Sequence, residues 1–189
     1  EWKVYQTEVY VQNAQALLSE APDERLFQME RAGETYFAKG HHFNRALSSL
    51  DARFLFNIAH LTSTMRLLDP FAGWGGLILE AKRRGFSIFA SDIDACLSPG
   101  LAQLAPQRYL IGDARLLPFP ANHFDAIITE PPFRSRYRQA VMDSLPELHR
   151  ALKPTGKMVL LIAMDMCAEI TTFFDRVGGH RLPRDHSFQ

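Results

Sequence analysis

Apolar and polar residues alternate along this chain in blocks that change from strand-like to helix-like spacing. After about residue 65, short apolar runs are followed by stretches with helical periodicity, and this alternation repeats. The runs MRLL, FSIFA, DAIIT and KMVLLIAM are nearly continuous in apolar residues, which is typical of strands covered on both faces. Because strands that alternate with helices form crossover units, the pattern predicts an α/β fold with a doubly wound, mostly parallel sheet.

The first part of the chain carries a different pattern. KVYQTEVYVQ indicates a strand, NAQALLSEA a short helix, and LFQMERAGETYFAKG two strands joined by a turn at residues 31–34. The next stretch, LDARFLFNIAHL, has Leu50, Phe54, Ile58 and Leu61 at helical spacing, which predicts a helix docked on the sheet edge. We therefore expect a small N-terminal strand and helix extension over residues 1–46 and a main domain over residues 47–189.

Composition excludes several function classes. The 189 residues, of which 47% are hydrophobic, suffice for one packed domain. Equal numbers of basic and acidic residues, 21 of each, leave a formal net charge of zero, so any polyanion must meet a local patch. The two cysteines, Cys96 and Cys167, lack the spacing of a zinc site or a disulfide scaffold. Because the sequence also lacks a membrane-length apolar stretch and a signal-peptide pattern, we expect a cytoplasmic protein that does not contact the membrane.

A glycine-rich loop follows the first strand of the main domain. In LLDPFAGWGGLILEA, Asp69 ends the strand, and Gly73 and Gly75 precede a helix. Such glycines let the backbone approach a ligand closely and leave helix N-terminal amides facing it. The third glycine of the dinucleotide-binding pattern is replaced by Ile78, which makes a pyrophosphate site less favourable.

Two further acids end the next strands, Asp92 in FSIFASDID and Asp113 in IGDARLLPF. This arrangement resembles the Rossmann-like S-adenosylmethionine-dependent methyltransferases. The resemblance implies S-adenosylmethionine as the cofactor, with Asp69 near its amino group, Asp92 at its ribose hydroxyls and Asp113 at its adenine amine. Asp94 is a further candidate that is equally well explained as a helix-start residue. The cofactor-binding residues implied in this way are Asp69, Phe71, Gly73, Gly75, Asp92, Ile93, Asp113 and Ala114.

The segment FDAIITEPPF ends the fourth strand of the main domain. It resembles a motif of amine methyltransferases in which Asp, Asn or Ser is followed by two prolines and an aromatic residue. A conjugated amine is a poor nucleophile until hydrogen bonds draw its protons out of the ring plane. The resemblance therefore implies that Glu130 and the carbonyl of Pro131 accept hydrogen bonds from the amine, while Pro132 keeps the loop rigid and Phe133 stacks on the base. Glu130 is one methylene longer than the usual Asp.

The order of these motifs narrows the resemblance further. With DPFAGWGGLILEA first and E-P-P-F later, about residues 43–165 look like the guanine-N2 methyltransferases of tRNA, whose larger members carry an RNA-binding THUMP domain. This implies RNA, and tRNA in particular, as the partner. Arg134, Arg136 and Arg138 after the E-P-P-F segment are candidate phosphate contacts. A protein partner that supplies RNA binding is the alternative.

Other functions remain open at this point. The acceptor is alternatively DNA, a protein amide or a small-molecule amine, because the same motif serves each of them. A catalytically silent binding subunit is a different class, favoured by Glu130 and by Trp74, which stands where a small or hydroxyl residue is usual. His41 and His42 are adjacent, but no third ligand is placed beside them, so we expect no metal site.

Overall fold

The computed structural model describes residues 26–31, 34–39 and 47–178. Near its start, strands β1 (Leu26–Arg31) and β2 (Glu34–Lys39) pair in antiparallel register, with Arg31 opposite Glu34. This register confirms the predicted pair of strands, and residues 32–33 of the predicted turn lie outside the described residues. The other strand and the short helix predicted before residue 26, and the two adjacent histidines, lie outside the described residues.

The main domain is built on a sheet of five strands. They are β3 (Arg66–Asp69), β4 (Ser87–Asp92), β5 (Tyr109–Ile111), β6 (Phe124–Thr129) and β7 (Leu152–Leu160). The order across the sheet is β5-β4-β3-β6-β7, and every pairing is parallel. The first strand of the sheet in sequence, β3, therefore lies in the middle. The chain adds β4 and β5 on one side of β3, and then β6 and β7 on the other side. This confirms the predicted parallel sheet.

Helices cover both faces of this sheet. They are α1 (Ser49–Ile58), α2 (Gly76–Arg83), α3 (Ser98–Leu104), α4 (Arg138–Ala151) and α5 (Cys167–Arg176). Successive residues of a strand point to opposite faces. Accordingly, Leu67 belongs to the apolar cluster of α1, α2 and α3, whereas its neighbour Leu68 packs in the cluster that includes Leu148 of α4. The sheet is therefore doubly wound, as predicted.

Helix α1 docks beside α2 and contacts β7, an outer strand of the described sheet. The buried face of the helix, however, differs from the predicted one. Leu50 and Phe54 are 58% and 39% exposed, whereas Ala52, Leu55 and Phe56 are buried. An alanine is a weak signal in a hydrophobic pattern because its side chain is small. The same small side chain lets the helix approach its neighbours closely. Of the four residues predicted to dock, Ile58 and Leu61 pack against the apolar cluster, so the prediction is wrong for Leu50 and Phe54.

Helix α4 spans a segment that the sequence pattern presents only as a long polar stretch. It runs for 14 residues and buries Val141, Leu145 and Leu148, which recur at helical spacing. Pro146 inside the helix and the charged residues on its outer face hide this stripe from a reading of the sequence. The buried hydroxyl of Ser144 donates to the carbonyl of Val141 at 2.7 Å, so it is satisfied within the helix. Among the described residues, no helix has the length and apolar character needed to cross a membrane.

Candidate cofactor and acceptor site

The acids singled out in the sequence lie at one edge of the sheet. Asp69 is the last residue of β3, Asp92 is the last residue of β4, and Asp113 follows β5. Glu130 directly follows β6, which is the other neighbour of β3. Because parallel strands end at the same edge, these acids lie along one edge of the sheet, and the strand order reverses between β3 and β6, whose ends carry Asp69 and Glu130. Ligands of open α/β sheets bind at such a point.

The glycine loop between β3 and α2 is held by backbone hydrogen bonds. The Ala72 amide donates to the Ser91 carbonyl at 2.9 Å, and the Gly75 amide donates to the Ala72 carbonyl at 2.8 Å. Gly73 and Gly75 have φ values of 50° and 78°, in the left-handed region that favours glycine. A Cβ atom at Gly75 would also overlap a δ-methyl group of Leu104 in α3. An alanine at position 75 would therefore adopt a strained conformation and displace the Leu104 side chain.

Asp92 ties the glycine loop to the end of β4. One carboxylate oxygen accepts the Gly73 amide at 2.7 Å, and the other accepts the Asp94 amide at 2.9 Å. Burial raises the pKa of Asp92, and these two amide bonds oppose the rise. A carboxylate offers about four lone-pair sites, so both oxygens can still accept hydroxyl groups of a ligand. Asp94 itself caps the 3₁₀ turn Ala95–Leu97 by accepting the Cys96 amide, which accounts for it as a helix-start residue.

Replacing Asp92 by asparagine is expected to raise the dissociation constant for the cofactor about 10- to 100-fold. An amide nitrogen cannot accept the backbone amides, and a hydrogen bond to a charged group contributes about 1.5–3 kcal/mol. Calorimetric titration of wild type and Asp92→Asn with S-adenosylmethionine measures the change, and thermal unfolding of the free proteins controls for the stability of the loop. Unchanged affinity would remove Asp92 from the site.

Asp69 is a buried carboxyl with a strongly raised pKa. It is only 1% exposed, and its Oδ1 atom accepts the Thr129 hydroxyl at 2.7 Å and the Phe71 amide at 3.3 Å. Burial raises the pKa of Asp69 to about 7, the two hydrogen bonds oppose the rise, and the charges of Asp92 and Glu130 add to it. Near neutral pH, Asp69 is therefore poised between its acid and its carboxylate forms.

Cofactor affinity is expected to rise as pH increases through about 7, the pKa of Asp69. A cationic amino group near Asp69 favours the carboxylate, so binding below this pH must first expel a proton. Titrations across this range should show the dependence in wild type and not in Asp69→Asn, with the ligand's own ionisation common to both. The stability of the free protein has the opposite pH dependence. The contribution of Asp69 to the free energy of unfolding is fully present below pH 3.8, the ordinary pKa of the group, and is lost as pH rises through about 7. A pH profile unaltered by Asp69→Asn would contradict the assignment.

Asp113 has a partner that sequence reasoning missed. The Arg115 side chain donates to both carboxylate oxygens, at distances between 2.5 and 3.0 Å, and these hydrogen bonds lower the pKa of Asp113. Ile93 and Leu116, the apolar residues expected around an adenine ring, are 67% and 81% exposed, and Ala114 is buried. The Arg115 guanidinium therefore favours the carboxylate form of Asp113. The D-x-R spacing is the signal that could have identified this pair.

The E-P-P-F segment leaves β6 at the same edge. Glu130 and Pro132 are partly buried, Pro131 is buried and Phe133 is 40% exposed. The charge of Glu130 contributes to the raised pKa of Asp69, so the two carboxyl groups are close enough to interact. A carboxyl side chain, two prolines and an exposed aromatic ring therefore follow β6 at the sheet edge where Asp69, Asp92 and Asp113 lie.

The three arginines after this segment differ in their surroundings. The Arg136 guanidinium lies over the Tyr137 ring, 4.6 Å from its centroid, and donates to the Tyr137 hydroxyl. Arg138, by contrast, pairs with Asp165 at 2.8 Å and with Glu169 at 2.7 Å. The charge of Arg138 is matched within the protein and joins α4 to α5, so we retain only Arg134 and Arg136 as candidate phosphate contacts.

Trp74 and the potential metal ligands complete the set of residues singled out in the sequence. Trp74 is partly buried and packs against the apolar cluster of α1, α2 and α3. Within the described part of the chain, no three His, Cys, Asp or Glu side chains are grouped so that they could hold a metal ion.

Comparison with protein families and curated proteins relates this site to known methyltransferases. The family model described as a methyltransferase domain matches residues 68–160. The U6 snRNA (guanine-N(2))-methyltransferase THUMPD2 of Mus musculus is 27% identical over 169 residues, which cover 84% of this chain and 30% of THUMPD2. The ubiquinone/menaquinone biosynthesis C-methyltransferase UbiE of Azotobacter vinelandii is 32% identical over 125 residues, which cover 61% of this chain and 49% of UbiE. The chain thus spans less than half of either relative.

A solved structure agrees with the fold. TrmN from Thermus thermophilus superposes with a TM-score of 0.59 at 24% identity, covering 91% of this chain and 60% of TrmN. The donor set fits S-adenosylmethionine, because acids at successive strand ends suit its cationic amino group and its ribose hydroxyls. Residues 68–160 therefore match a methyltransferase domain family, and they adopt the Rossmann-like fold of the methyltransferases that use S-adenosylmethionine.

Proposed function

We propose that this domain methylates an exocyclic amine of a nucleobase in RNA, with guanine N2 as the acceptor and tRNA as the RNA. The position of the E-P-P-F segment carries the proposal: it begins directly after β6, beside the strand that ends at Asp69. The likeness to THUMPD2, which extends over 84% of this chain, supports guanine N2 rather than another amine.

The chemistry assigned to this segment follows from the acceptor. When bound, S-adenosylmethionine presents a methyl group on a positively charged sulfur, so strong base catalysis is not required. The amine must instead be aligned and its lone pair freed from the ring. The two amine N–H groups donate hydrogen bonds to Glu130 and to the Pro131 carbonyl, and Phe133 stacks on the base. A paired guanine must leave its helix to reach Phe133.

Contact with the rest of the RNA is assigned to a local patch. The chain has no net charge, so attraction to phosphates depends on clustered cations. Arg134 and Arg136 are exposed and follow the E-P-P-F segment directly. Tyr137 lies under the Arg136 guanidinium and holds it in place. Two arginines give weak affinity, so we also propose that a protein partner or an RNA-binding module strengthens binding to the substrate.

A methyl-transfer assay tests the proposed function. Unmodified tRNA is incubated with S-adenosylmethionine that carries a labelled methyl group, digested to nucleosides and analysed by mass spectrometry. Labelled N2-methylguanosine supports the proposal. Label on another nucleoside would contradict guanine N2 as the acceptor and identify the base that is methylated instead. High concentrations of short hairpin RNA keep the assay informative when affinity is weak. A double variant, Arg134→Ala with Arg136→Ala, should raise KM for RNA and leave cofactor affinity unchanged.

The likeness to UbiE favours a second candidate, methyl transfer to carbon in a small aromatic molecule. UbiE is more identical to this chain than THUMPD2 is, at 32%, although over a smaller share, 61%. The same labelled cofactor incubated with small phenols and quinols distinguishes the two candidates. Label in an organic extract without label in RNA would replace the proposed RNA function with this one.

A further inference from the structure

Thr129 joins the two strands that border the proposed site. It is the last residue of β6 and is fully buried. Its hydroxyl donates across the sheet to Oδ1 of Asp69, the last residue of β3, at 2.7 Å. Sixty positions separate the two residues in sequence, so only the return of the chain to the other side of β3 brings them together.

This hydrogen bond acts on a carboxyl with few other stabilising contacts. Among the described residues, the Phe71 amide is the second donor to Asp69, at the longer distance of 3.3 Å. The facing charged groups are Asp92 on β4 and Glu130 after β6, and both disfavour a second negative charge. Of the groups around Asp69, the Thr129 hydroxyl therefore opposes the cost of burial most directly. A hydroxyl in this place stabilises the carboxylate over the acid.

We propose that Thr129 is a positioning residue for the cofactor, whose hydroxyl fixes the Asp69 carboxylate in the orientation and charge state that a cationic ligand requires. Thr129 acts through Asp69 and does not contact the reacting atoms. The role belongs to cofactor binding, so it does not depend on which acceptor is methylated.

The position of Thr129 also links the cofactor acid to the acceptor loop. Glu130 is the next residue, so any rotation of the peptide that displaces the Thr129 hydroxyl also displaces the Glu130 side chain. The Leu161 amide donates to the Thr129 carbonyl at 3.0 Å, which fixes this peptide from the β7 side. Thr129 is therefore held by its backbone on one side while its side chain holds Asp69 on the other.

Paired substitutions at Thr129 test the proposal. Thr129→Val removes the hydroxyl at nearly constant shape, and Thr129→Ser retains the hydroxyl. The pKa of Asp69 is measured residue by residue through carboxyl carbon chemical shifts, and cofactor affinity is measured by calorimetry at neutral and alkaline pH. Ser144→Ala, which removes a buried hydroxyl bonded only within α4, is the matched control.

Thr129→Val should raise the pKa of Asp69 by about one unit and weaken cofactor binding about fivefold at neutral pH, with less weakening at alkaline pH. Thr129→Ser should stay within about twofold of wild type, and Ser144→Ala should not move either quantity. In an Asp69→Asn background, Thr129→Val should have no further effect on affinity. An unmoved Asp69 pKa, or an equal loss of affinity at every pH and in the Asp69→Asn background, would overturn the proposal.

Discussion

Replacing Glu130 by alanine is expected to lower kcat for methyl transfer about 100-fold or more, with a change in cofactor affinity below about threefold. The reason is that Glu130 aligns the amine, and misplacement of a reacting group by about 1 Å costs about 100-fold in rate. Single-turnover rates with saturating RNA and cofactor measure the chemical step. This effect is one of the two largest that we expect.

Two variants at the same position separate alignment from charge. Glu130→Gln keeps an acceptor oxygen without charge and should retain more activity than alanine. Glu130→Asp restores the shorter acid that is usual in the resembling motif and should bind the cofactor normally. Because the Glu130 charge raises the pKa of Asp69, cofactor affinity should be compared at alkaline pH, where Asp69 is ionised in every variant. A loss of cofactor affinity parallel to the loss of kcat would contradict the role in acceptor alignment.

The sheet and its acidic edge were predictable because a strand that is buried on both faces is a short run of apolar residues in the sequence. Strands covered on both faces are rich in apolar residues, so β3, β4, β6 and the second half of β7 are visible as short apolar runs. Their ends are marked by the first acid or turn residue, which is how Asp69 and Asp92 were found. The strand order is a property of the whole chain, and in this case the resemblance to a known family supplied what the runs themselves do not contain.

The errors have equally local causes. The buried side of α1 was misjudged because Ala52 packs more closely than Leu50 but carries less apolar weight in a pattern. Helix α4 was missed because Pro146 and charged residues interrupt its apolar stripe. In both helices the tertiary contact, rather than the intrinsic preference of the residues, decided which side is buried.

Local sequence patterns could not predict the contacts that set the charge and orientation of the site residues. Thr129 reaches Asp69 only because β6 lies beside β3, and Arg138 meets Glu169 only because α4 and α5 share one face of the sheet. Each residue looks unremarkable in its own segment. A sequence can therefore indicate which groups meet a ligand at strand ends, whereas the groups that set their charge and orientation require the fold.

Replacing Gly75 by alanine is expected to destabilise the protein by about 2–5 kcal/mol and to abolish measurable cofactor binding. The left-handed conformation costs an alanine about 1–2 kcal/mol, and overpacking against Leu104 adds about 1–3 kcal/mol. The strain falls on the loop whose Gly73 amide bonds to Asp92, so the cofactor site loses its geometry along with its stability. Thermal unfolding and calorimetric titration measure the two effects.

Gly85 provides the matched control for this substitution. Its φ of 72° is close to the 78° of Gly75, but nothing lies within 4 Å of an added Cβ atom. Gly85→Ala should therefore carry the conformational cost of about 1–2 kcal/mol alone, lower the melting temperature by about 2–8 °C and leave cofactor affinity intact. Adding Leu104→Ala to Gly75→Ala removes the overlapping methyl group, so the double variant should be more stable than the sum of the single losses predicts. Equal effects of Gly75→Ala and Gly85→Ala would mean that close packing against α3 does not shape the glycine loop.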